Sequence, residues 1–124
     1  MNIINEKRLN MNNKERLQLE IKGIKLTDNE IDVYLLENNL NASDVYNPQL
    51  ASNRRAIYAT ALSVLESTAN NPTMMKSIKV DDMTVSEFHE NLMKRIDQLQ
   101  DKINKMPTDD NGSGNSASYF LLYN

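Results

Sequence analysis

Apolar positions along the chain recur mainly at helical spacing. Leu17, Ile21 and Ile24 mark one side of a first short helix, expected over 13–22. Gly23 follows where a left-handed C-terminal turn is wanted, a backbone conformation that only glycine adopts without penalty. Ile24 is then expected to fold back on Leu19. A second helix opens on Thr27-Asp28-Asn29-Glu30. In this capping box the threonine oxygen accepts from the amide of Glu30, and the glutamate accepts from the threonine amide. Leu26 and Ile31 flank the box as a hydrophobic staple, and Ile31, Tyr34 and Leu35 make the apolar face. Asn38-Asn39 should end the helix, because asparagine competes for backbone hydrogen bonds.

Residues 41–47 read as a connector, and Pro48 is placed for the first turn of a third helix reaching about residue 70. Leu50, Ile57, Ala61, Val64 and Leu65 form its apolar stripe. Ala56, Ala59 and Ala61 keep its surface thin enough for another helix to approach. Pro72 ends it, since the residue before a proline avoids helical angles. Ser77-Ile78-Lys79-Val80 and Met83-Thr84-Val85 alternate polar and apolar side chains around Asp81-Asp82, which predicts a short β-hairpin. A second capping box, Thr84 to Glu87, opens the last helix, with Met83 and Phe88 as its staple. Leu92, Ile96, Leu99, Ile103 and Met106 repeat at heptad spacing, which reads as an amphipathic helix packed on the third helix of the same chain, with a coiled-coil seam between chains as the alternative. Glu90 with Lys94 and Asp101 with Lys105 are spaced for ion pairs.

The expected fold is therefore mainly α: a small bundle of about four helices, a short β-hairpin before the last one, and an extended C-terminal tail. Residues 1–106 form the helical domain, and 107–118, rich in glycine, serine and asparagine, a flexible linker. Residues 119–124 end the chain with Tyr119, Phe120, Leu121, Leu122 and Tyr123. An apolar cluster so tethered is an aggregation hazard unless it docks on something.

Composition narrows the function. The chain has 124 residues, enough for one domain with a small core. There is no cysteine, which removes disulfides, thiolate metal sites and cysteine nucleophiles. His89 is the single histidine and reads as a surface residue. Asp109-Asp110-Asn111-Gly112 lacks the ligand spacing of a calcium loop. No phosphate-cradling glycine loop or nucleophile elbow is present. No metal, cofactor or enzymatic role is expected. The first residues show no basic region followed by an apolar run, so neither a secretory signal nor a membrane span is expected.

The net charge is −3, with bases and acids interleaved, which disfavours broad nucleic-acid binding. A helix-turn-helix over 14–38 remains as an alternative reading. It would bring Asp28, Asn29 and Glu30 to the DNA, and two acids there oppose phosphate approach.

The layout resembles a known family. Leu26-Thr27-Asp28-Asn29-Glu30-Ile31, then Asn53-Arg54-Arg55-Ala56-Ile57-Tyr58-Ala59, Ser77-Ile78-Lys79-Val80 and Leu92-Met93-Lys94-Arg95-Ile96 follow one another as in the head-to-tail connector adaptors, or head-completion proteins, of tailed bacteriophages. The resemblance implies a virion protein made in the host cytoplasm. It implies a ring of about twelve copies beneath the portal protein, closed by side-to-side contacts. Such a ring extends the DNA channel, with DNA only as passing cargo, and carries the next tail component. Under this reading Tyr119, Phe120, Leu121, Leu122 and Tyr123 dock on the portal. Met74, Met75, Ile78, Val80 and Met83 are the expected subunit interface, since methionine adapts to irregular contacts. An assembly scaffold or chaperone is a further alternative.

Overall fold

The computed structural model describes residues 10–78 and 82–107, with the side chains of Ser77 and Ile78 left aside. It is mainly α-helical, with five helices among the described residues: α1 (Asn13–Glu20), α2 (Asp28–Glu37), α3 (Ala51–Ala69), α4 (Pro72–Ile78) and α5 (Val85–Lys105). Among the described residues there is no strand, only an isolated antiparallel bridge between Asn12 and Val45.

Both expected capping boxes form. Thr27 Oγ1 accepts from the Glu30 amide at 3.1 Å, and Glu30 accepts from the Thr27 amide at 2.8 Å. Thr84 and Glu87 repeat the arrangement at 3.0 and 2.9 Å. A third box, Asn12 with Glu15, opens α1. The end of α2 is sharper than composition suggests. Asn39 has φ of 63°, the Leu40 amide donates to the Leu35 carbonyl, and the Asn39 amide donates to that of Leu36. This is a Schellman turn with asparagine in the left-handed position. After α1, Gly23 takes φ of 95°. Ile24 turns into the core as its amide donates to Ile21, while Leu19 stays 48% exposed instead of meeting it.

Two further expectations need correction. Pro48 does not open α3. It sits in a turn after which Leu50 caps the helix with no side-chain hydrogen bond. Asn53 Oδ1 accepts from the Asn47 amide at 2.7 Å, and Arg54 Nη1 donates to the Pro48 carbonyl at 2.7 Å. The helix thus reaches back to hold its own entry. Pro72, which ends α3, is itself the first residue of α4. That extra helix takes the place of the hairpin's expected first strand: Ser77 and Ile78 are its last residues, while Lys79, Val80 and Asp81 lie outside the described residues. The expected second strand supplies the cap and first turn of α5. Met74, Met75 and Ile78 stand three and four apart, a helical spacing that the four-residue polar–apolar alternation concealed.

The core is one cluster. Leu17, Ile21, Ile31, Leu35, Ile57, Val64 and Leu65 are all but inaccessible, and Leu92 and Leu99 join them from α5. Each such side chain contributes about 1.5–3 kcal/mol on leaving water. α5 packs mainly along α3, with α1 and α2 against α3 as well, so the heptad stripe of α5 is used within the chain. Thr60 and Thr68, buried in α3, donate to the carbonyls of Ala56 and Val64 at 2.7 and 2.8 Å, so neither hydroxyl is left unpaired. Among the described residues no helix is long and apolar enough to cross a membrane.

Candidate interaction surfaces

Of the residues expected at a subunit interface, Met74, Met75 and Met83 have described side chains. Met75 is 6% exposed and belongs to the core. A residue already buried in its own subunit cannot mate with a neighbour's surface, so it leaves the interface set. Met74 is half-buried on α4. Ile78 ends α4, with its side chain outside the description, and Val80 lies beyond the described residues. So do Tyr119, Phe120, Leu121, Leu122 and Tyr123. Met83 is half-buried just before the Thr84 cap, and its sulfur accepts from Asn91 Nδ2 at 3.8 Å.

Met83 forms part of a groove of 210 Å³ between the α1–α2 turn and the first half of α5. Ile24, Leu92 and Phe88 supply apolar walls. Gly23 stands at the edge, where an added Cβ would meet nothing within 4 Å. Lys22 and Arg95 bring positive charge to the lining, which contains no carboxylate among the described residues. Arg95 is held in place by donating to the Glu20 carbonyl at the end of α1. Periodicity could not reveal this groove, because its two walls are some seventy positions apart in the chain.

Large apolar side chains also lie outside the core. Val33 and Leu36 on α2 are 53% and 63% exposed, and Val45 and Leu50 on the connector are 59% and 45% exposed. The outer part of α2 is otherwise acidic: the helix carries Asp28, Glu30, Asp32 and Glu37 and no base. Asp28 is paired with Lys14 at 2.7 Å. That hydrogen bond, opposed by burial and aided by the Asp28 charge, raises the Lys14 pKa. A recognition helix of this composition would meet phosphates with carboxylates, which opposes DNA binding through α2.

The connector is fastened by asparagines. Asn13, 3% exposed, donates through Nδ2 to the Asn41 carbonyl at 2.9 Å and accepts from Asn53 Nδ2 at 3.1 Å. The amides of Asn13 and Tyr46 donate to the carbonyls of Asp44 and Met11. Nearby, the Arg16 guanidinium lies 5.5 Å from the Tyr46 ring centre and 5.6 Å from that of Tyr58, and pairs with Glu20 at 3.1 Å. Lys102 from α5 sits 4.7 Å from the Tyr58 ring centre. Burial works to lower the Arg16 pKa, but hydrogen bonding to Tyr46 and Glu20 outweighs it, so the value is raised. This cluster joins α1, the connector, α3 and α5.

His89 is half-buried in the first turns of α5. Among the described residues no group of three or more histidines, aspartates or glutamates is placed to hold a metal ion. No protein-family model, curated protein or solved structure matches the chain.

Proposed function

We propose that the protein is a structural adaptor of a phage head-to-tail connector, forming a ring under the portal protein and extending the DNA channel. The observation that carries this reading is the set of exposed apolar side chains Val33, Leu36, Val45 and Leu50 on a domain whose core is already complete without them. Exposed large apolar side chains gain by being covered in an assembly. A closed ring of identical copies needs two different surfaces that mate head to tail, one on each flank of the subunit. In this reading α2 and the connector supply such surfaces. Met74, Ile78, Val80 and Met83 extend the contacts around α4 and the start of α5. The segment of Tyr119, Phe120, Leu121, Leu122 and Tyr123, beyond the linker at 107–118, docks on the portal.

The net charge of −3 suits a channel wall that a passing duplex must not stick to. The next tail component binds the face of the ring away from the portal. Mixing the protein with its portal and imaging the product by electron microscopy tests the proposal. Rings stacked on the portal are expected; a protein that stays monomeric and never associates overturns it.

A further inference from the structure

The groove between the α1–α2 turn and α5 has an apolar floor and a cationic edge, and nothing in the described fold fills it. At 210 Å³ it has room for a pair of large side chains and too little for a helix. The chain holds a matching piece. Five consecutive large apolar residues, Tyr119 to Tyr123, follow a stretch that contains Asp109 and Asp110 and no base. The groove lining is the converse, with Lys22 and Arg95 and no acid among the described residues.

Reach is sufficient. The groove borders Phe88, Leu92 and Arg95, so roughly 15–25 Å of α5 separates it from the helix end at Lys105. Residues 108–118 span at most about 40 Å when extended. A segment on so short a connection meets the groove at an effective concentration in the millimolar range, well above that of a second copy in dilute solution.

We propose that the segment Tyr119 to Tyr123 occupies this groove of its own chain before assembly, so that any partner of the segment must first displace it. The groove then acts as a parking site. It covers the chain's most aggregation-prone stretch and releases it when a stronger apolar surface is offered. The proposal goes beyond the adaptor reading and does not depend on it, because its test uses the isolated full-length chain alone.

The absence of native cysteine allows one spin label to be placed cleanly at Ser118→Cys. In isotope-enriched labelled protein, the amide resonances of Gly23, Ile24, Asn91 and Leu92 should lose most of their intensity, while those of Asn41 and Ser43 in the connector keep theirs. Adding Leu121→Asp and Leu122→Asp to the labelled chain should restore the lost signals. An equimolar mixture of labelled, unenriched chains with enriched, unlabelled chains should show no loss at the groove. Undiminished groove signals in the labelled chain overturn the proposal. So does equal loss in the mixed sample, which would assign the groove to a second copy.

Discussion

Asn13 is a polar side chain enclosed on nearly all sides, and its two side-chain hydrogen bonds tie α1 to the connector and to α3. Replacing it with leucine should cost about 1–3 kcal/mol, because the Asn41 carbonyl and the Asn53 amide lose buried partners; a urea midpoint measures this. Arg16→Lys should cost about 1 kcal/mol even though charge is kept, since an ammonium lacks the planar fork that spans Glu20 and the two tyrosine rings. Gly23→Ala meets no atom, so its cost is the backbone term alone, about 1 kcal/mol. Lys14 gives a pH prediction. Its pKa is raised in the fold, so the Asp28 pair contributes fully at neutral pH and fades as pH rises through a value above the ordinary 10.5. Lys14→Met should therefore separate from the parent protein in a urea titration at neutral pH and converge with it at strongly alkaline pH. The role of Gly23 was visible in sequence because its conformational freedom is local. Those of Asn13 and Arg16 were not, because their partners come from positions 41, 46, 53 and 58.

Helix starts were the most legible elements, since a capping box is written within four residues. Thr84→Ala should destabilise the fold by about 1 kcal/mol, and Thr27→Ala by a similar amount, both seen in thermal unfolding; the serine variants should stay near the parent. The Asn12 box escaped notice because asparagine at a helix start looks the same as asparagine in a loop. Proline was ambiguous in the same way. Pro48 and Pro72 both follow asparagine, yet one lies in a turn held from behind by Asn53 and Arg54, and the other begins α4. Four residues of alternation at 77–80 were too few to distinguish a strand from the end of a short amphipathic helix. Of the two spaced ion pairs on α5, Asp101 with Lys105 closes at 2.9 Å across an exposed surface, a contact of small energetic weight.

At the scale of the molecule, the mainly helical class and the packing of the final helix along the third could be read from periodicity. The candidate surfaces could not. Exposure of Val33, Leu36, Val45 and Leu50 depends on which face of each element the core takes, and that is decided only when the helices meet. Removing residues 118–124 should leave the helical circular dichroism signal unchanged and abolish portal binding in a pull-down; a loss of helical signal would mean that the domain itself needs the segment. The bond from Arg95 to the Glu20 carbonyl spans 75 positions. α1 leaves the ribosome first, yet the groups that hold it arrive from the connector, from α3 and finally from α5. Long-range closure of this kind delays folding, since loop entropy is lost before the contact forms. The nascent chain therefore carries α1 without its full set of partners until α5 has been made.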